Sequence, residues 1–332
     1  GGSDEGGGGV IWVAWRQQRV QILVSVGLVG LVALALVVVR VAVTSDLAAL
    51  GLAGCWQTAE GCRGAGLEPV PVRYGAINAS YEFVGMVLPA LLGLFIGAPM
   101  FAREIEQGTH IFSLTQSVSR TRWWTTKALV GGLPVVAAMT GLGLLAGWAR
   151  EPMSWIPARL LTPRFEIEGL APGVYTLFGV SVGVALGLWL RNTLAAMVVT
   201  LALYVAVVAG LATTARIHYA PPVQHVQPFT TTPIVPSDLG WRIEDGYLNE
   251  DGERVEVSAY ECIDQHARSG GVIDMQELAE TCYREAGAAV YVITYHPADR
   301  YWRFQATEAG IIGAVSAGML GSAALAVRRR LW

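Results

Sequence analysis

The sequence predicts an all-α polytopic membrane protein with six transmembrane helices and a small mixed α/β extracytoplasmic domain between helices 5 and 6. Of its 332 residues, 53% are hydrophobic and only 15% are charged, whereas soluble domains carry about 25% charged residues. A bilayer-crossing helix needs roughly 20 mostly apolar residues. Six segments meet this requirement: 22–43, 83–102, 128–148, 171–190, 194–214 and 308–327.

The N-terminal residues divide into two parts. Residues 1–9, GGSDEGGGG, have the composition of an artificial linker and are left out of the argument. From Val10 onward, aromatic and basic residues at helical spacing predict an interfacial helix that leads into the first span, and an aromatic belt at the end of that span is the alternative. These residues are Ile11, Trp12, Trp15 and Arg19. Residues 10–214 therefore hold the interfacial helix and spans one to five.

The lysine and arginine residues of the short loops predict the orientation, because cytoplasmic loops are enriched in them. With the N-terminus inside, ten such residues lie in cytosolic segments and five in short outer loops. Three arginines, Arg328 to Arg330, directly follow the sixth span within the last segment, residues 308–332. We expect a multi-pass protein of a bacterial cell membrane with both termini in the cytosol.

All four cysteines fall on the predicted outer side, where disulfides persist. The simplest pairing is Cys55–Cys62 and Cys262–Cys282, although four cysteines allow three connectivities. Neither spacing is CxxC, which favours structural disulfides over a membrane thiol oxidoreductase.

Residues 215–307 form the one segment between spans that is large enough for a small domain. They contain fourteen acidic and seven basic residues, a net charge of minus seven. The prolines at its beginning exclude regular helix there. Strands are predicted near Trp241–Leu248, Arg254–Val257 and Ala289–His296, with a helix that starts at a capping box, Asp274 with Glu277, and ends before Gly287.

Small residues recur on the fourth span. Gly179, Gly183 and Gly187 stand every four residues, a spacing that lets helices approach closely within one chain or in a dimer.

The sequence lacks the residues that several kinds of functional site require. Few ionisable residues lie at mid-span, which argues against ion-coupled transport. The sequence contains no GxSxG, HExxH or GxxxxGK[ST] motif, so we expect no catalytic site, no metal and no cofactor bound by this chain.

The stretch from Phe101 to Lys127, FAREIEQGTHIFSLTQSVSRTRWWTTK, is unusually charged for a loop between two spans. We expect the second span to end near its first residue and a helix of one or two turns to follow Thr109. The order E-x-E-x-G-T, then S-x-x-R, then a lysine resembles the cytosolic coupling region of type-2 ABC transporter permeases. Two glutamates are not explained by the positive-inside rule alone. By this resemblance the coupling region comprises Glu104, Glu106, Gly108, Thr109, Arg120 and Arg122.

The resemblance extends over nearly the whole chain. Six spans and an outer insertion before the last span fit that family, and Trp15-Arg16-Gln17 and residues 299–305, DRYWRFQ, look like actinobacterial members. The insertion departs from the usual pattern, since many members have a short pair of re-entrant helices there.

The resemblance also implies how the chain would work. It implies an exporter permease that works with a Walker A-containing ABC ATPase, which binds ATP and Mg, and with a second permease copy or homologue. Membrane lipid is a further expected partner, and nucleic acid is not. A lipophilic cargo would suit the apolar spans. The alternative is a non-transporting sensor or anchor whose acidic outer domain binds a ligand or partner.

Overall fold

The computed structural model describes residues 5–57, 62, 69–108, 119–153, 158–230, 235–236, 238–255 and 275–330. Within these residues, six helices are long and apolar enough to cross a membrane, as predicted. They are Ile11–Ala49, Val70–Glu106, Arg120–Ala149, Ala171–Leu190, Thr193–His218 and Ala298–Arg328. The prediction of a multi-pass helical protein is therefore confirmed.

The chain forms two compact units, a helical unit and a sheet unit. The helical unit comprises the described residues of Gly1–Pro157, Thr162–Arg216 and Arg303–Trp332, and the sheet unit comprises those of Ala158–Leu161 and Ile217–Trp302. The helices in chain order are α1 Glu5–Ala49, α2 Pro69–Leu92, α3 Pro99–Glu106, α4 Arg120–Ala149, α5 Arg164–Ile167, α6 Ala171–Leu190, α7 Thr193–Gly210, α8 Met275–Glu285 and α9 Tyr301–Arg330.

The first helix has no break between its tryptophan-rich start and its apolar part. Its span, Ile11–Ala49, has 39 residues, which at about 1.5 Å per residue is far longer than the roughly 30 Å hydrocarbon core. Part of α1 therefore extends beyond that core. A separate interfacial helix, as the sequence suggested, is not present within residues 5–49, and the interfacial tryptophans stand on the same helix as the first span.

Two π-helical turns lie within the second and fifth spans. Gly93–Gly97 joins α2 to α3, and Leu211–Ala215 follows α7. The structure corrects the predicted end of the second span near Phe101. The helix instead continues to Glu106, because α3 follows the π turn without a break.

The most buried span is α6, which packs against α2, α3, α4 and α7. Its glycines face backbone at very short range. A Cβ atom built on Gly183 would lie 2.6 Å from the Ala98 nitrogen, and one on Gly187 would lie 2.6 Å from the Ala98 carbonyl oxygen. Only glycine permits such a close approach of two helices.

The sheet unit contains a four-stranded antiparallel sheet in the order β1-β4-β2-β3. Its strands are β1 Val223–Pro228, β2 Leu239–Leu248, β3 Arg254–Val255 and β4 Val290–Pro297. The three predicted strands and the helix before Gly287 are present as β2, β3, β4 and α8. Strand β1 was not predicted, because it ends in proline and lies in a proline-rich segment. The extracytoplasmic placement of this unit stays a prediction.

His296 lies buried at the end of β4 and is held as a neutral ring. Its Nε2 donates to the carbonyl of Ile217 at 3.1 Å, and its Nδ1 accepts from Arg300 Nη1 at 3.1 Å. A second proton on Nδ1 would oppose the arginine donor. Burial and, to a lesser extent, the Arg300 charge lower the pKa of His296, against the opposing effect of the Ile217 carbonyl.

A disulfide joins Cys55 and Cys62, which confirms one of the two expected pairings. Cys282 is also disulfide-bonded. Its predicted partner, Cys262, lies outside the described residues.

Candidate functional site

The charged stretch between the second and third spans begins on a helix rather than in a loop. Glu104 and Glu106 belong to the last turns of α3, and a positive φ of 70° at Gly108 then turns the chain away. Glycine adopts this conformation without steric cost. Thr109 and the short helix predicted after it lie outside the described residues.

Glu104 neutralises the single lysine of the chain. Lys127 lies on the facing helix α4, is 4% exposed and forms an ion pair with Glu104. Its ammonium nitrogen lies 5.3 Å from the ring centroid of Phe101 and 5.6 Å from that of Trp123. Phe101 and Trp123 themselves pack edge to face at 5.2 Å. This cluster fixes α4 against α3, since a buried cation needs a nearby carboxylate and gains further from aromatic faces.

Glu106 caps the fifth span. One carboxylate oxygen accepts from the backbone nitrogen of Thr193 at 2.9 Å, and the other accepts from its hydroxyl at 2.5 Å. Thr193 is the first residue of α7, so the negative charge lies at the positive end of that helix dipole. Asn192 adds a second cap by accepting from the nitrogen of Ala195 at 2.8 Å. The end of α3 is thereby tied to the hairpin between α6 and α7.

Arg120 and Arg122 occupy the first turn of α4. Ser119 caps this helix by accepting from the Arg122 nitrogen at 3.3 Å. Cations in the first turn oppose the helix dipole by about 0.3–1 kcal/mol each. Arg120 is half-buried, and Arg122 is exposed.

The structure therefore separates the predicted coupling residues into two groups. Glu104 and Glu106 bind partners within the chain. Arg122 and Gly108 are exposed at the boundary of the segment that the structure does not describe. Their assignment to a coupling region stays a prediction.

A family described as ABC-2 membrane transporter related has a sequence model that matches residues 26–216, more than half of the chain. The chain belongs to this family. The match contains both ends of the charged stretch, the second, third and fourth spans, the later part of the first span and most of the fifth. No curated protein and no solved structure matches the chain.

This ABC-2 family member has two buried clusters of charge at the ends of the spans that lie away from the charged stretch. Neither cluster was predicted from the sequence. In the first, Arg150 pairs with Glu82 at 2.7 Å and with Glu168 at 3.1 Å, and Arg164 pairs with the same Glu168 at 2.8 Å. The charges are balanced. The cluster joins α2, α4 and the α5 connection.

In the second cluster, Arg216 at the end of the fifth span bridges two carboxylates. It pairs with Glu166 at 2.7 Å and with Glu308 at 3.2 Å, and all three residues are at most 3% exposed. Tyr175 donates to Glu308, and the guanidinium lies 3.8 Å from the ring centroid of Phe165. The fourth, fifth and sixth spans and helix α5 therefore meet at Arg216.

A signal for both clusters was present in the sequence. Opposite charges stand where spans enter or leave the predicted membrane, and an ionisable residue at such a place needs a partner. The residues are Glu82, Arg150, Glu166, Glu168, Arg216 and Glu308. Arg150 was used only to predict the orientation, and none of these charges was predicted to pair with another.

Proposed function

We propose that this chain is the membrane-spanning permease subunit of an ATP-driven exporter, and that a separate ATPase binds it near the start of α4. The family match over residues 26–216 carries the proposal, since ABC-2 members usually work with an ATPase partner. Two arginines that the dipole of α4 disfavours, with Arg122 exposed, suit contact with an acidic surface of another protein.

The internal contacts of the site supply a route for movement from that contact into the spans. Lys127 with Glu104 connects α4 to α3, and Glu106 with Thr193 connects α3 to α7. A shift of the α4 start would therefore reach three spans through charged and capping contacts. Close glycine packing between α6 and the π turn would carry it further, because tightly packed helices move as rigid bodies.

The same proposal includes a dimer of permeases and a lipophilic cargo. The glycines of α9 support the dimer. A Cβ atom at Gly310, Gly313, Gly318 or Gly321 would meet no atom within 4 Å of the described chain, so a second copy has room to approach this face.

A charge reversal tests the coupling contact. Arg122→Glu should lower ATP hydrolysis by the purified complex and weaken retention of the ATPase, because repulsion replaces attraction at the proposed interface. Arg19→Glu is the matched control, since Arg19 is an exposed arginine of α1 on the same predicted side.

Two outcomes oppose the proposal. Equal ATPase retention and turnover in wild type, Arg122→Glu and Arg19→Glu would remove the coupling role of Arg122. A folded chain that binds no ATPase in its own membrane would favour the sensor or anchor function.

A further inference from the structure

A cleft of about 990 Å³ lies between α1 and the continuous α2–α3 segment. Its wall is apolar over most of its length, with exposed side chains that include Val24, Leu28, Leu91 and Phe95. The cleft therefore opens outward from the helical unit at the level of the spans. Its volume is at the upper end of the range for small-molecule sites, roughly 300–1,000 Å³.

The polar end of this cleft is built from fixed amides. The Gln21 side chain donates to the carbonyl of Phe95, which lies in the π turn, and the Gln18 side chain donates to the carbonyl of Lys127 at 3.3 Å. π turns are frequent at functional sites. Here the turn places polar backbone at the wall of the cleft, and a glutamine satisfies it.

One positive charge at the polar end is left to face outward. Lys127 is neutralised by Glu104, and both residues line the cleft. Arg103 lies beside them on α3, is exposed, and forms no ion pair with any residue that the structure describes. The cleft thus has a net positive polar end and an apolar body.

We propose that the α1/α2 cleft binds an anionic lipid from the surrounding leaflet, with its acidic headgroup at Arg103 and an acyl chain along Leu28 and Phe95. The apolar body alone would accept any lipid, because lipid tails are as apolar as the wall. The guanidinium selects an anionic headgroup, since arginine binds phosphate and carboxylate in a bidentate manner and the ammonium of a zwitterionic headgroup opposes it. The proposal is independent of ATP-driven transport.

Native mass spectrometry of the full chain in detergent, with added phosphatidylglycerol or phosphatidylcholine, tests the site. Arg103→Gln should weaken phosphatidylglycerol binding about tenfold, which is about 1.4 kcal/mol, because the variant loses a charge-assisted hydrogen bond to the headgroup. Arg19→Gln removes an exposed α1 arginine that does not line the cleft and should leave binding unchanged.

A second pair of variants tests the apolar body. Leu28→Trp fills the cleft and should also weaken binding, whereas Leu31→Trp, at a more exposed position of the same helix outside the cleft, should not. Neither change enlarges a buried side chain, so both variants should fold.

The outcomes separate the possible occupants. Equal binding of phosphatidylcholine, or equal losses in Arg103→Gln and Arg19→Gln, would overturn the proposed headgroup site. Phosphatidylglycerol binding by Leu28→Trp as tight as that of wild type would overturn the role of the apolar body. If a second copy of the chain occupies the cleft instead, Leu28→Trp will dissociate a dimer in the same spectra and lipid will not bind.

Discussion

Replacing Arg216 by methionine should destabilise the helical unit more than any exposed substitution. The change removes the cation that pairs with both Glu166 and Glu308, and it leaves two buried carboxylates without their shared partner. Breaking a buried ion pair by removing one partner costs about 3–5 kcal/mol. At about 2–4 °C per kcal/mol for a domain near this size, we expect the thermal midpoint to fall by roughly 6–20 °C.

The assay is thermal unfolding of the purified chain in detergent, followed by intrinsic fluorescence. Arg303→Met, an exposed arginine on α9, is the matched control and should change the midpoint little. Adding Glu166→Gln and Glu308→Gln to Arg216→Met should recover part of the loss, because the uncompensated charges are then gone. A midpoint for Arg216→Met within about 3 °C of the control would refute the account of this cluster.

Three further predictions follow from local geometry. Gly183→Ala should lower the thermal midpoint by several degrees, because overpacking costs about 1–3 kcal/mol. Gly318→Ala, with open space around it, should not. A larger fall in the midpoint for Gly318→Ala than for Gly183→Ala would contradict the α6 packing. The sheet unit should lose stability as pH falls below about 6.5, because the native state resists protonation of His296. A His296→Gln variant whose stability falls with pH as steeply as that of wild type would contradict this. Cys55→Ser should lower the free energy of unfolding by about 2 kcal/mol, as expected for a short disulfide loop. An unchanged thermal midpoint would contradict this prediction.

The sequence was sufficient to predict the six spans, because a run of about 20 apolar residues in a bilayer satisfies its backbone hydrogen bonds as a helix. It predicted β2, β3, β4 and α8 from alternation, a turn signal and a capping box. The pairing Cys55–Cys62 followed from proximity along the chain.

Contacts between distant residues were not predictable in the same way. The second span was predicted to end near Phe101, because the charges that begin at Arg103 were interpreted as the start of a loop, whereas the helix continues to Glu106. That error placed Glu104 and Glu106 in a loop and concealed their pairing with Lys127 and Thr193. The Arg216 cluster joins residues that are 50 and 92 positions apart, and one sequence does not reveal which charges meet.

The central claim is that this ABC-2 family member receives ATP-driven movement through the start of α4. The most direct measurement is ATP hydrolysis by the chain purified from its own membrane, together with the stoichiometry of any co-purified Walker A protein. We predict one ATPase per chain, with both hydrolysis and stoichiometry reduced by Arg122→Glu and unchanged by Arg19→Glu. A folded chain that purifies without an ATPase and hydrolyses no ATP would contradict the claim.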